Sequence, residues 1–424
     1  MIVKQFFMKK IFYLAIPALL ALGACSQDSV VEVKEGNAIS FAPVASKSLR
    51  TAENHTTAGL TEFNTSAFTG LSTFFQNEKV SKDGGAWKAE HTYFWPTNDA
   101  LSFYSYAPLD FTKSKATVEV TDTNKQIKDF TIPYESKDQQ DPIYAVNANE
   151  NLLAHLNTPV EVNFRHATSR ILFKAKNTNP NLKIEIASVR IAYIKGKGTF
   201  TFPEETTKTH LSSDTHYQTE EDATWGKWNL VDDSFTYTKA TTEYSAINAR
   251  GQGRFLTLEG KTDEAQLIST DEASWLQVLP QEVTGWDPVT DPRNEKKGAY
   301  FLVQCYIYQK KTAKDGTEVW DKLFSGRITK FSYPGEVAIP FNARWRQGTT
   351  YVYTFVFGDG AGWYPPQPTT PIEDPGKNPK VTPPTHPDPD KGVPVLNPVK
   401  FSVTVDEYQT DAANDHAIDM KADA

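Results

Sequence analysis

Apolar and polar residues alternate in short runs along most of this chain. Strand side chains point to opposite faces in turn, so a period of two marks a strand with one face buried. Residues 38–44, Ala-Ile-Ser-Phe-Ala-Pro-Val, read as a first strand with Ile39, Phe41 and Val44 as its apolar members. Further strands are predicted at 71–75, 92–95, 101–107, 117–120, 127–132 and 143–146, separated by turn-forming residues. With the first strand that makes about seven, the number one small β-sandwich needs. Asparagine-rich residues 147–157 mark a boundary. A second series is predicted at 160–164, 170–175, 184–194, 199–202, 255–258, 275–279, 300–308, 322–328, 337–340 and 351–357. Residues 203–224 are polar and read as a surface loop, and 358–362 as a flexible exit.

The pattern then changes. Residues 365–398 hold 12 of the 26 prolines. Proline fixes φ and lacks an N–H, so this stretch cannot join a central ladder and favours extended polyproline II. At about 3.1 Å per residue its ceiling is roughly 100 Å. Beyond it Val399, Phe401, Val403 and Val405 alternate without a fault with Lys400, Ser402, Thr404 and Asp406. This is a half-buried strand at the end of an arm, and it needs a sheet edge. Either it folds back on its own domain or it adds to the sheet of another copy.

Composition supports an all-β chain large enough for two or three domains: 424 residues with Phe 25, Tyr 18 and Trp 9. The N-terminus reads as a targeting segment. Lys9 and Lys10 precede an apolar run from Ile11 to Leu22, too short to span a bilayer as a helix. Met8 also suits a start site. The run ends in Leu22-Gly23-Ala24-Cys25, which resembles a bacterial lipobox and predicts acylation of Cys25. Losing residues 1–24, with Lys4, Lys9 and Lys10, takes the formal charge from −8 to −11. An acidic chain without a basic stripe argues against nucleic acid as a partner. The second cysteine, Cys305, alternates in phase with Phe301, Val303 and Ile307 and reads as a core thiol. A polar stretch at 46–54 contains Arg50, a site for an arginine-specific protease cutting before Thr51. Such a cut would remove the anchor and the first strand together.

Catalytic and metal chemistry is not signalled. The eight histidines lie at 55, 91, 155, 166, 210, 216, 386 and 416, without metal-ligand spacing. His166, two residues after Phe164, reads as a hydrogen-bonded structural histidine. No GxSxG, P-loop or dinucleotide fingerprint occurs. Neither an enzyme nor a cofactor is expected. Trp363 reads either as a sugar-stacking ring or as the closure of a strand end.

These residues resemble the fimbrillin-like family, the type V pilins of Gram-negative anaerobes, from about residue 37 to 410. Trp95-Pro96 with 101–108, Asp141-Pro142-Ile143-Tyr144-Ala145, Phe164-Arg165-His166-Ala167, Leu279-Pro280-Gln281, Trp345-Arg346-Gln347-Gly348 with 351–355, and 398–405 resemble family blocks, in family order. The resemblance implies two transthyretin-like β-sandwich domains, a C-terminal proline-rich arm and a terminal strand. The segments expected are a lipoprotein signal peptide (1–24), a lipidated spacer with a removable first strand (25–50), an N-terminal sandwich (51–157), a C-terminal sandwich (158–363), a linker (364–398) and a donor strand with its tail (399–424). It implies export to the outer membrane and cell surface as a lipoprotein, trimming at Arg50, and assembly with other pilus subunits into a fimbrium. The donor strand, through Val399, Phe401, Val403 and Val405, would fill the groove left by Ile39, Phe41 and Val44. The alternative is an anchored adhesin or tip subunit that keeps Cys25 and binds host glycan or protein.

Overall fold

A computed structural model describes residues 37–45, 59–206, 225–268, 274–358, 360–396, 400–407 and 416–418, with backbone alone for 44–45, 400–407 and 416–418. The chain is all-β. The first strands are β1 (Phe41–Ala45), β2 (Glu62–Thr69), β3 (Ser72–Asp83), β4 (Ala86–Ala89), β5 (Leu101–Ala107), β6 (Thr117–Val120), β7 (Lys125–Thr131), β8 (Ile143–Glu150) and β9 (Val160–His166). The middle strands are β10 (Ser169–Asn177), β11 (Leu182–Lys195), β12 (Lys197–Thr201), β13 (Lys227–Leu230), β14 (Phe235–Lys239), β15 (Leu256–Glu259), β16 (Gln266–Leu267), β17 (Leu276–Val278) and β18 (Glu282–Val283). The last are β19 (Tyr300–Thr312), β20 (Glu318–Phe324), β21 (Gly326–Ile328), β22 (Phe331–Tyr333), β23 (Gly335–Pro340), β24 (Ala343–Arg344), β25 (Thr349–Phe357), β26 (Val381–Thr382), β27 (Lys400–Glu407) and β28 (His416–Ile418).

The N-terminal sheet runs β1-β9-β8-β5-β2-β3-β4, and a smaller sheet runs β13-β12-β7-β6. The middle of the larger sheet is buried on both faces. Along β8, Ile143 and Ala145 join a core with Phe41, Phe63 and Phe103, while Tyr144 and Val146 join a second core with Phe130, Phe200 and Phe202. Two buried faces remove the polar half of the alternation, and a near-continuous buried run results.

In the C-terminal half, the sheet β16-β10-β25-β27-β28 and the sheet β14-β11-β19-β20 supply one core. Phe301, Val303, Cys305 and Ile307 of β19 point into it, and Tyr300 and Leu302 point outward into a separate aromatic cluster. Cys305 is fully buried, and burial pushes its thiol pKa up, as a core thiol should behave.

Strand pairing crosses residue 157/158, where the sequence reading begins its second sandwich. β9 pairs with β8 and, parallel, with β1; β12 pairs with β7. The alternation of residues 160–164 announces a strand but not its partner, because period two carries no long-range information. Tyr144 ties the halves together: its hydroxyl donates to Gln347 Oε1 at 3.0 Å and accepts from the Gly226 N–H at 3.0 Å.

Two strand assignments differ from the pattern as well. β2 lies in the middle of the N-terminal sheet where the alternation predicts no strand, while 92–95, expected as a strand, forms only a bridge through Phe94. Asn64, Thr65 and Ser66 give β2 the look of a turn. In the fold, Thr65 and Ser66 are buried and the Ser105 hydroxyl donates to Thr65 Oγ1 at 2.9 Å, so the polar groups are satisfied.

Candidate functional site

The two terminal strands and the seats they occupy form the candidate site. β1 lies parallel to β9, with Phe41 opposite Val160, Ala42 opposite Glu161 and Pro43 opposite Val162. The Val160 N–H donates to the Ser40 carbonyl at 2.8 Å. On the other side the preceding residues meet 93–95: the Ile39 N–H donates to the Tyr93 carbonyl at 2.8 Å and the Trp95 N–H to the Asn37 carbonyl at 2.9 Å. In the slot that the first strand occupies, residues 37–39 therefore have backbone partners at 93–95, and residues 40–45 have theirs on β9. Trp95 stacks on His155 at 5.2 Å, and His155 Nε2 lies 2.7 Å from a Glu150 carboxylate oxygen, closing that end.

Ile39 is 9% exposed and Phe41 5%. The Phe41 ring meets Phe63 at 6.1 Å and Phe103 at 5.6 Å, both edge-on. Burying two such side chains contributes about 1.5–3 kcal/mol each. Pro43, in phase with them, is buried as well. The period-two phase is thus Ile39, Phe41, Pro43, and Val44 stands one residue out of it. Pro43 also explains why this strand ends the sheet, since proline is tolerated only on edges.

β27 lies antiparallel to β25 of its own C-terminal sheet, from Val356 opposite Lys400 to Thr349 opposite Glu407. β28 pairs with its outer side, from Val403 opposite Ile418 to Val405 opposite His416. Phe401, Val403 and Val405 fall opposite Phe355, Tyr353 and Tyr351. Within the single chain the terminal strand is seated in cis.

The proline-rich arm is not a free tether here. It leaves at Trp363, crosses the outer face of the C-terminal half and returns to its starting point. Trp363 bridges Ala338 and Pro394, the Tyr364 N–H donates to the Val393 carbonyl at 3.0 Å, and the Val395 N–H to the Gly362 carbonyl at 2.7 Å. Trp363 thus closes a strand end. On the way, β26 pairs with β21, and Ile372 packs on the aromatic cluster of Tyr193, Tyr237 and Tyr300. Arg190, with a side chain 4% exposed, is held between Glu336 and Asp374, the latter at 2.5 Å. Burial pushes the Arg190 pKa down, but the two carboxylates outweigh it and the guanidinium stays charged. Burial pushes the neighbouring Tyr134 phenol up to about 12. Thr369 donates to Glu295 Oε1 through its N–H at 2.9 Å and its hydroxyl at 2.7 Å. Arg293 pairs with Asp390 at 2.6 Å. A Cβ on Gly376 would come within 1.6 Å of Tyr134 Oη, so the strap is pressed against the body there. Proline content announced extension and concealed the anchors: Asp374, Thr369 and Asp390 find partners more than seventy residues away in sequence.

Cys25, Arg50, Thr51 and Val399 lie outside the described residues. His166 is a structural histidine, buried with Nδ1 2.7 Å from Asp141 Oδ2. Among the described residues no group of three or more His, Cys, Asp or Glu side chains could hold a metal, and no helix is long and apolar enough to cross a membrane.

A family model described as fimbrillin-like matches residues 50–370. No curated protein matches the chain. Among solved structures, a fimbrial protein from Bacteroides vulgatus is similar, with TM-score 0.50 and 15% identity over 76% of this chain and 95% of that one. A candidate cell adhesion protein from Bacteroides uniformis is 11% identical over 89% of this chain and 100% of its own, with TM-score 0.42. Another from Parabacteroides distasonis is 11% identical over 89% and 97%, also with TM-score 0.42. The likeness to the B. vulgatus protein is one of fold.

Proposed function

We propose that this chain, which belongs to the fimbrillin-like family, is a structural subunit of a surface pilus that polymerises by strand exchange. Family membership makes it a pilus- or adhesion-related surface protein. The finer reading begins with export as a lipoprotein acylated on Cys25 and held at the outer membrane. Cleavage between Arg50 and Thr51 then frees residues 25–50, β1 leaves, and the strand at 399–406 of another copy enters the slot.

One observation supports this reading above the others. β1 is a buried strand at the start of the described chain, and β27 is a strand near its end. Each can leave its sheet without pulling another strand through the fold. A vacated slot would expose the edge of β9 and the faces of Phe63 and Phe103, which invites strand addition. Burial of Val399, Phe401, Val403 and Val405 in that slot would contribute on the order of 1.5–3 kcal/mol each. Deleting residues 399–424 is expected to abolish SDS-resistant polymers of the trimmed protein. Polymers that persist unchanged after the deletion would sink strand exchange.

The seating of β27 on β25 favours a second reading, an anchored adhesin or tip subunit that keeps Cys25 and its own first strand and binds host glycan or protein. The two readings part over whether Arg50 is cut.

A further inference from the structure

We propose that Phe401 sets the register of the incoming strand by taking the site that Phe41 occupies in the closed subunit. The inference rests on the strand-exchange reading and adds the contact that selects one alignment. The slot has one large position. Phe41 lies between Phe63 and Phe103, both fully buried, and its in-phase neighbours Ile39 and Pro43 are smaller. The resident pattern is therefore small, large, small at a spacing of two.

Residues 399–403 repeat that pattern as Val399, Phe401, Val403, and Phe401 is the only aromatic residue in 399–406. A slip of one residue would turn Lys400, Ser402 and Thr404 toward the apolar floor. A slip of two would leave a valine in the phenylalanine site and force the ring into a site built for isoleucine or proline, a cavity and an overpacked position at once. Only one alignment avoids both. The pattern also reads the same from either end, so Phe401 takes the central site whichever way the strand runs. Direction is then decided by the backbone and can be read separately.

Glu161 supplies the test. It is exposed and stands opposite Ala42, the outward position next to Phe41. Neighbouring strands lie about 4.8 Å apart, within the Cα separation a disulfide accepts. Trimmed chains carrying Glu161→Cys with Ser402→Cys, Lys400→Cys or Thr404→Cys are allowed to polymerise, then oxidised and run on non-reducing gels. A cut after Arg50 removes Cys25, and Cys305 is fully buried, so the introduced thiols carry the signal. With Pro159→Cys, at the exposed residue one step before Val160, as a second site, the register predicts cross-linking of Glu161→Cys to Ser402→Cys together with Pro159→Cys to Lys400→Cys if the incoming strand runs parallel to β9, and of Glu161→Cys to Lys400→Cys together with Pro159→Cys to Ser402→Cys if it runs antiparallel. Thr404→Cys is expected to stay uncross-linked in both cases. Phe401→Ala is expected to weaken binding of the incoming strand about a hundredfold or more, with Phe401→Leu milder. Normal polymers that cross-link through Thr404→Cys, or that show one cross-link of such a pair without the other, or neither, overturn the register. Trimmed chains with native side chains that form no polymers, or that polymerise equally without residues 399–424, overturn strand exchange itself.

Discussion

Single side chains hold each terminal segment in place. Phe41→Ala in the untrimmed chain removes a buried ring flanked by two others. It is expected to cost about 3–5 kcal/mol, read as a lower urea midpoint with an unchanged slope. A loss below about 1 kcal/mol would mean that the first strand does little for the closed fold. Gly376 tests the strap: Gly376→Ala places a methyl group into Tyr134 Oη, and amide exchange in residues 365–396 is expected to rise while the body stays protected. Asp374→Asn leaves the buried Arg190 with one carboxylate, Glu336. Buried ion pairs are weak sources of net stability, but removing one partner strands a charge, so exchange should again rise along the strap.

Among the elements, strap docking should depend on pH through Glu295. Hydrogen bonds from Thr369 hold the Glu295 carboxyl below its usual pKa. A carboxyl with a depressed folded pKa adds stability that is fully present above its unfolded value, near 4.3, and is lost as pH falls through the folded one. Exchange in the strap is therefore expected to increase below about pH 4, and Glu295→Gln should flatten that response. Most strands were legible in the sequence, because alternation is a local signal. Leu101–Ala107 and Thr117–Val120 fall where their patterns put them. β2 was illegible, since its Asn64, Thr65 and Ser66 resemble a turn until β5 supplies partners. Which sheet took β9 or β12 was equally hidden, as was the docking of the arm, because pairing and anchoring depend on residues far along the chain. Of the candidate site, Ile39 and Phe41 were legible as buried apolar positions, whereas the inward phase of Pro43 appeared only with the pairing to Val162.

At the scale of the whole molecule, the strap decides how far the terminal strand can travel. With Val395 bound to Gly362, only residues 396–399 separate the anchor from Lys400. The five Cα steps from Val395 to Lys400 span about 18 Å at most, against roughly 100 Å for the whole arm extended. Exchange with a neighbour then requires either a closely apposed copy or an undocked strap, and Gly376→Ala should speed polymerisation if undocking limits it. The central claim is that the first strand is removed to open a slot for another copy. The most direct measurement is the N-terminal residue, by mass spectrometry, of the protein in polymers taken from intact cells. A chain beginning at Thr51 is the predicted result. Polymers whose chains begin at acylated Cys25, with the first strand still in place, would contradict the account.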